Sequence, residues 1–345
     1  MLTSSLPDHL KSSFSNMERV MVSIKIVFSF ILLLSVSAFF TSCASETGGA
    51  EYKTADNRLK VVATTSMIAD AVLEIAGDSV SLYSMMGPGV DPHLYKATKS
   101  DIDKISEAEL ILYNGLNLEA KVTDIFARMS SIKQTAAVAE TIADSLLRYP
   151  SAFKGHPDPH VWFDVSMWRT VVNEIAAELC LADPKNEEYY KKNLNDYLDS
   201  LDVLNLWVKE QIESIADDQR VMVTAHDAFG YFGLAYDMEV LGVQGISTVT
   251  EAGLYDITKM IDLLTERKIK AVFAESSVSP KAIESVVEGC QARGHNIRIG
   301  GTLFSDAMGT KGTSEDNFLG MVRYNINTIV NALKYGKEYE RASSH

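Results

Sequence analysis

The sequence has few cysteines, and this scarcity excludes two classes of protein. Its 345 residues include only Cys43, Cys180 and Cys290. Three widely spaced cysteines cannot form a disulfide framework or a zinc ribbon built on CxxC pairs. Any metal site in this chain must therefore use His, Asp and Glu as ligands. Cys180 and Cys290 lie in helix-like patterns, and we expect both to be buried core residues.

Basic residues are also scarce relative to acidic ones. The chain has 32 Lys and Arg against 46 Asp and Glu, which gives a net charge of −14. Because nucleic-acid-binding proteins normally carry a basic surface, we expect no nucleic-acid partner. Eight prolines and twenty glycines are ordinary numbers and exclude a disordered or fibrous chain. At roughly 100–200 residues per domain, the length predicts two domains or lobes.

The N-terminus contains one uncharged apolar run that is too short for a membrane span. The run IVFSFILLLSVSAFF covers residues 26–40 and follows Lys25. Since a span needs about 20 apolar residues, this arrangement is typical of a secretory signal peptide. We predict a signal peptide over residues 1–42. Met21 could be the true start, because the segment before it is long and weakly basic.

A cysteine follows this apolar run almost directly. The sequence FTSC at 40–43 resembles a bacterial lipoprotein cleavage site, with Phe40 where Leu is usual. We therefore expect Cys43 to carry a lipid that anchors the protein to a membrane. Residues 43–58 are small, polar and unpatterned, which predicts a flexible tether. The alternative is an ordinary secreted protein in which Cys43 is incidental.

Short apolar strands alternate with helical patterns in two similar halves of the chain. The segments LKVVATT, SMIADAVLEIAG and SVSLY predict strand, helix and strand, and VMVTA, HDAFGYFGLAYD and MEVLGV repeat that order. Alternation of this kind favours parallel sheets covered by helices on both faces. The sequence therefore predicts an α/β fold of two similar lobes, at residues 59–183 and 217–340.

One long helix is predicted between the two lobes. Asp183 and Pro184 supply an N-cap and a proline at the first helical position. No Gly or Pro occurs at 185–215, where apolar side chains recur every three or four residues. We predict a single rigid backbone helix over residues 184–216. A stiff connection of this kind predicts only a small closure around any ligand bound between the lobes.

Four candidate metal ligands lie in turns or at strand ends of the two halves. His93 lies in GPGVDPHLY and His160 in HPDPHVWFD, which are Pro-rich turns. His226 follows the strand VMVTA, and Asp306 lies in the loop GGTLFSDAMG after a strand NIRI. Three imidazoles and one carboxylate meet the usual coordination number of zinc. A single His in such a turn is more often structural, and spacing alone leaves open whether the four side chains meet.

Several motifs together resemble a known family. They are VTAHDAFGYF (223–232), DPHVWFD (158–164), AESS (274–277), ARGH (292–295) and LFSDAMG (303–309). They are similar to motifs of the metal-binding lipoproteins of bacterial zinc and manganese ABC importers, particularly the TroA type. The resemblance extends from residue 59 to about residue 335. It implies two α/β lobes joined by a backbone helix, and it implies that His93, His160, His226 and Asp306 occupy the family's four ligand positions.

The resemblance also implies a function and partners. We expect an extracytoplasmic solute-binding protein that carries Zn²⁺ or Mn²⁺ to an ABC permease and its ATPase subunit, and we expect it to be a monomer. His226, where manganese-dedicated members tend to carry Glu, favours zinc, as does the general affinity order. The long His-rich loop of many zinc-specific members is missing, which leaves Mn²⁺ open. We expect no enzyme activity, because four protein ligands leave no position for an activated water.

The sequence also allows a supporting role for Glu275 and two alternative functions for the chain. Glu275 ends the strand AVFAE, and we expect it to orient a ligand imidazole. A helix-cap role beside Ser276 and Ser277 is the alternative for Glu275. A secreted zinc hydrolase is disfavoured because neither HExxH nor GxSxG occurs. A surface adhesin, a label attached to this family, would need no buried ligand cluster.

Overall fold

The computed structural model describes residues 57–151, 153 and 155–336. The predicted signal peptide, Cys43 and nearly all of the predicted tether lie outside the described residues. Within the described part of the chain, no helix has the length and apolar character needed to cross a membrane.

The first half is built around a four-stranded parallel sheet. Its strands are β1 (Leu59–Ala63), β2 (Val80–Ser84), β3 (Leu110–Tyr113) and β4 (Gln134–Ala137). The helices between them are α1 (Ser66–Ala76), α2 (Lys99–Glu107) and α3 (Thr123–Met129). The strand order is β2-β1-β3-β4, and every neighbouring pair is parallel. Parallel pairing directs the carboxyl ends of all four strands to the same edge of the sheet.

Local sequence explains where the first helices begin. The Thr65 side chain accepts a hydrogen bond from the backbone N–H of Ile68 and so caps α1. Thr98 and Asp101 form a reciprocal capping box at the start of α2. The buried residues of α1 recur at spacings of three and four, so they form one face that packs against the sheet.

The middle of the chain forms two consecutive helices, α4 (Val165–Ala182) and α5 (Glu187–Glu213). The 27 residues of α5 extend about 40 Å without a break. The prediction of one uninterrupted helix is confirmed, with its first residues Pro184–Asn186 in a 3₁₀ turn. The Asp183 side chain does not cap the backbone but accepts a hydrogen bond of 2.8 Å from the Tyr190 hydroxyl.

The second half contains two pairs of parallel strands. The strands are β5 (Val221–His226), β6 (Glu239–Gln244), β7 (Ala271–Glu275) and β8 (Arg298–Leu303). The helices are α6 (Gly230–Tyr236), α7 (Leu254–Arg267), α8 (Lys281–Ala292) and α9 (Phe318–Lys334). Strand β5 pairs with β6 and β7 pairs with β8, while β5 also contacts β7. The second half therefore repeats the strand–helix–strand pattern of the first.

Strand β8 differs from its prediction. The sequence predicted a strand NIRI followed by a glycine-bracketed loop, but β8 continues through Gly300 and Gly301 to Leu303. A Cβ atom on Gly300 would lie 2.6 Å from Cβ of Ala332, and one on Gly301 would lie 2.5 Å from Cγ2 of Thr328. Both contacts are with α9. The two glycines therefore allow α9 to pack directly on the strand, and they do not mark a loop.

The largest hydrophobic cluster of the described residues runs through both halves, and each half has a smaller cluster of its own. It joins Trp168 on α4, Tyr190 and Leu204 on α5, Phe273 on β7 and Met321 on α9. Helix α5 contacts α1 and α4 on one side of the molecule and α6 and α9 on the other. The predicted fold class, two α/β lobes joined by a long helix, is confirmed; the exact lobe boundaries stay a prediction.

The prediction that both described cysteines are buried is half wrong. Cys290 is fully buried, whereas Cys180, near the end of α4, is only half-buried. An 18-residue helix with a strong apolar pattern still presents part of its surface to solvent. Periodicity alone did not distinguish the edge of that apolar face from its centre.

Asp70 joins the two halves and provides a prediction about stability. Its Oδ2 atom accepts a hydrogen bond of 2.9 Å from the backbone N–H of Phe318, the first residue of α9. Burial raises the pKa of Asp70 to about 7, against an ordinary value of 3.8, and Glu74 and Asp316 add to the rise. The folded state therefore holds this proton more tightly than the unfolded state. Stability from this group is highest in acid and falls as the pH rises from about 4 to about 7.

The Asp70→Asn variant is expected to be more stable than the natural protein at pH 8, by on the order of 1–4 kcal/mol. The amide keeps an oxygen acceptor for Phe318 but has no charge to bury. The advantage should shrink at pH 5, where the natural Asp70 is protonated. Urea unfolding in EDTA at both pH values measures the difference. Asp78→Asn, at an exposed position, is the control. The prediction would be contradicted if the unfolding free energies of the variant and the natural protein differed equally at pH 5 and pH 8.

Candidate metal centre

The four side chains selected from the sequence meet at one buried point. His93, His160, His226 and Asp306 each offer a ligand atom, and these atoms all lie within 4.8 Å of one another. None of the four residues is more than 2% exposed. His93 and His160 come from loops of the first half, whereas His226 ends β5 and Asp306 follows β8 in the second half. The cluster therefore lies where the two halves face each other.

Three distances between candidate ligand atoms are close to the edge length of a small tetrahedral site. Nε2 of His93 lies 3.2 Å from Nε2 of His160, which lies 3.5 Å from Oδ1 of Asp306. Nε2 of His226 lies 3.4 Å from Oδ2 of Asp306. Zinc–ligand bonds of about 2.0–2.1 Å give a tetrahedron whose edges are about 3.3–3.4 Å. These three distances are close to such an edge, and the four candidate ligand atoms all lie within 4.8 Å of one another.

Two of these ligand atoms have no hydrogen-bond partner of their own. Nε2 of His226 and Oδ1 of Asp306 are both buried and make no hydrogen bond of ordinary geometry, although each lies 3.4–3.5 Å from another group of the cluster. A buried polar atom without a partner costs free energy, so such atoms are rare in a stable core. A cation between them would remove that cost. The donor set of three nitrogens and one carboxylate fits zinc and related divalent transition metals.

Each Asp-Pro-His turn carries an Asp that shapes the loop around its histidine. Oδ1 of Asp91 accepts a hydrogen bond of 2.8 Å from the backbone N–H of His93. Oδ1 of Asp158 accepts one of 3.0 Å from the backbone N–H of His160 and lies 2.8 Å from its ring Nδ1. The intervening proline fixes φ and helps to hold each turn. The Nδ1 contact turns Nε2 of His160 towards the cluster.

A glutamate and a serine contact the two candidate ligands of the second half. Oε1 of Glu275 accepts a hydrogen bond of 2.8 Å from the backbone N–H of His226, and Oε2 lies 2.6 Å from its Nδ1. The Ser277 hydroxyl donates a hydrogen bond of 3.3 Å to Oδ2 of Asp306. Glu275 therefore lies beside both the backbone and the ring of His226. This contact leaves the Nε2 atom of His226 facing the other three candidate ligands.

Burial and charge hold the candidate ligands in different protonation states. Burial lowers the pKa of His93 to about 3, so its imidazole is neutral at physiological pH. Burial also opposes protonation of His226, but the carboxylates of Glu275 and Asp306 outweigh burial and hold the pKa of His226 well above its usual value. Burial disfavours the ionised form of Asp306, yet the facing imidazoles lower the pKa of its carboxyl below the ordinary range. Asp306 is therefore held as an anion, and the neighbouring carboxylates favour the protonated form of His226.

Several aromatic side chains lie near the candidate ligands. The Trp162 indole N–H donates a hydrogen bond of 3.0 Å to the backbone carbonyl of Ser305, and its ring lies 5.2 Å from that of His160. Phe163 stacks on Phe229 with ring centroids 4.0 Å apart. Phe304, which also adjoins a candidate ligand, is only partly buried. Among these rings, that of Trp162 contacts a candidate ligand directly.

Sequence reasoning assigned no role to several residues that contact the cluster. Asp91 and Asp158 contact candidate ligands directly, and Thr248 donates a hydrogen bond of 2.5 Å to Oδ2 of Asp91. The repeated Asp-Pro-His tripeptide was the available signal for the two aspartates. Among the other histidines, His156 is exposed, and His295 contacts the carbonyl of Ile269 instead of the cluster.

Comparisons with known proteins agree with this geometry. Residues 61–332 match the family model described as zinc-uptake complex component A, periplasmic. The chain is 49% identical over 294 residues to the manganese-binding lipoprotein MntA of Bacillus subtilis, covering 85% of this chain and 95% of MntA. It is 45% identical over 285 residues to the zinc-binding protein TroA of Treponema pallidum, covering 83% of this chain and 92% of TroA. The solved structure of that TroA matches with a TM-score of 0.78 over 80% of this chain and 99% of TroA.

Proposed function

The chain belongs to the family of the periplasmic zinc-uptake complex component A, and we propose that it captures a divalent transition metal outside the cytoplasm and delivers it to an ABC permease. One observation carries the proposal. Four ligand atoms from four separate segments, two in each half, lie buried within 4.8 Å of one another. An arrangement that buries three imidazoles against a carboxylate has no evident structural use without a cation.

The proposed ligands are His93, His160, His226 and Asp306. In this role, Asp158 and Glu275 hold the Nδ1 sides of two imidazoles, so that each Nε2 atom faces the ion. A carboxylate that accepts a hydrogen bond from a ligand imidazole fixes the ring and makes it a better donor to the metal. The close contacts of Glu275 with both the backbone and ring of His226 favour this role over a helix cap.

We propose Zn²⁺ as the preferred ion, with Mn²⁺ as a second cargo. Three nitrogen ligands favour zinc in the general order of divalent affinities. The related MntA is named for manganese and the related TroA for zinc, so close similarity alone does not select between them. A carboxylate such as Asp306 can bind through both oxygens and so admit the higher coordination that Mn²⁺ accepts.

Transport fits the site better than catalysis or adhesion. Four protein ligands fill a tetrahedral site and leave no position for an activated water, which a hydrolytic zinc site requires. The relatives reported above are named as binding proteins, which supports a role without chemical turnover. Surface adhesion would give no reason for the burial of this cluster. We therefore infer that the chain is a binding protein and not an enzyme.

The proposed partners are an ABC permease and its ATPase subunit, reached from a membrane anchor at Cys43. A tether would keep the loaded protein near the permease and raise its effective concentration there. Since the ligands come from both halves, separating the halves would pull the site apart and release the ion. The rigid helix α5, which contacts helices of both halves, favours a small separation. We propose that the protein acts as a monomer.

Metal analysis of the purified protein tests the function. After removal of bound metal at low pH with a chelator, we expect the protein to take up one equivalent of Zn²⁺ and to release it only slowly to EDTA. Zn²⁺ should displace Mn²⁺ in competition, and either ion should raise the melting temperature, because each binds only the folded state. Failure to bind either ion at micromolar concentration would overturn the proposal.

A further inference from the structure

Arg148 lies between the two halves of the candidate site. Its Nη1 atom forms an ion pair with Oδ2 of Asp158, and its Nη2 atom lies 3.8 Å from Oδ2 of Asp227. Asp158 precedes His160 by two residues, and Asp227 directly follows His226. One guanidinium thus contacts a neighbour of a candidate ligand from each half.

Asp158 uses its two carboxylate oxygens for different partners. Oδ1 contacts the backbone N–H and the ring Nδ1 of His160, whereas Oδ2 contacts Arg148. The Asp158 side chain is fully buried, and the Arg148 side chain is 24% exposed. A buried carboxylate needs a positive partner and hydrogen bonds for all its lone pairs. Arg148 supplies that charge and fixes the plane of the carboxylate that holds His160.

The surrounding chain is shaped to receive this guanidinium. The three heavy atoms nearest to a Cβ built on Gly230 all belong to Arg148, and Nη1 would lie only 1.3 Å from it. A side chain on the first residue of α6 would therefore displace this guanidinium. The Tyr231 hydroxyl accepts a hydrogen bond of 3.0 Å from the backbone N–H of Arg148 and donates one of 2.9 Å to the carbonyl of Asp158. Tyr231 holds the backbone on both sides of the ion pair.

We propose that Arg148 is a positioning residue of the metal site. It holds the Asp158 carboxylate that orients His160, and it ties this loop of the first half to the residues after His226 in the second. The inference rests on the proposed function, because it concerns how His160 is presented to the ion. Arg148 itself contacts no candidate ligand atom. Its effect on the metal passes through Asp158.

Two substitutions should remove this effect by different routes. Arg148→Ala deletes the guanidinium, and Gly230→Ala keeps it but places a methyl group where Nη1 lies. We expect each variant to bind Zn²⁺ about tenfold more weakly, at the lower end of the 10–100-fold range for groups that support a metal ligand. The Arg148→Ala/Gly230→Ala double variant should bind Zn²⁺ no more weakly than Arg148→Ala alone. Arg148→Lys should recover part of the affinity, since it restores the charge without the planar fork.

A spectroscopic readout separates positioning from general loosening of the fold. With Co²⁺ as the probe, the visible bands of the bound ion should shift in Arg148→Ala and Gly230→Ala, because the orientation of one nitrogen ligand is released. In an Asp158→Asn background, adding Arg148→Ala should produce no further shift. Arg267→Ala, which breaks an exposed ion pair with Glu239, is the control and should leave both affinity and spectrum unchanged.

The outcomes distinguish this inference from the function on which it rests. If the natural protein binds neither Zn²⁺ nor Co²⁺, the proposed function fails. If the natural protein binds both ions and the Arg148→Ala and Gly230→Ala variants match it in affinity and spectrum, the positioning role of Arg148 is refuted. Should Arg148→Ala fail to fold, Gly230→Ala alone decides, because it leaves the arginine in the chain.

Discussion

Replacing His226 with Ala should lower the affinity for Zn²⁺ by about a thousandfold, beyond the 10–100-fold that loss of a supporting group costs. This change corresponds to about 4 kcal/mol of binding free energy. The variant loses one of four proposed ligands, and it also strands Glu275, whose Oε2 lies 2.6 Å from Nδ1 of His226 in the natural protein. Without the imidazole between them, the carboxylates of Glu275 and Asp306 would repel each other.

Competition with a chromophoric zinc chelator measures the affinity over this range. His156→Ala is the matched control, since this histidine is exposed and lies outside the cluster. His226→Gln is a second variant that fills most of the vacated volume and guards against a packing defect. Circular dichroism should show that His226→Ala and His226→Gln are both folded. Zinc binding of unchanged stoichiometry and affinity in either folded variant would remove His226 from the site.

Replacing Cys43 with Ser should move the protein from the membrane fraction to the soluble fraction almost completely. The substitution removes the thiol that would carry the lipid. Because stable attachment requires a large apolar anchor, loss of the lipid leaves only weak surface contacts. The change should not affect zinc affinity, since Cys43 is not among the candidate ligands.

Cell fractionation combined with labelling by a radioactive fatty acid tests this assignment. Cys180→Ser, at a half-buried cysteine of the folded part, is the control and should keep both label and membrane association. A Cys43→Ser protein that still takes up label would refute lipidation at this residue. One that stays in the membrane without label, with residues 26–40 still present by N-terminal sequencing, would show instead that the apolar run is an uncleaved anchor.

Much of the fold was predictable because its signals are local. The strand–helix–strand patterns of both halves and the long helix α5 depend on periodicity within a few turns of chain, and all appear in the structure. Strand β4 was not predicted, because its four residues QTAA carry almost no alternating pattern. The extension of β8 through Gly300 and Gly301 was also missed. Its cause lies in α9, about thirty residues further along the chain.

The sequence by itself determined the fold class, the residue types of the site and, through the resemblance to a family, the four candidate ligands. Only the tertiary structure decided that these four side chains share one point, since they are spread from residue 93 to residue 306. It also decided which groups support them, among them Asp158 and Arg148. Periodicity reports which face of an element is buried. The contact between two distant segments depends on how complete elements pack, and no local pattern records it.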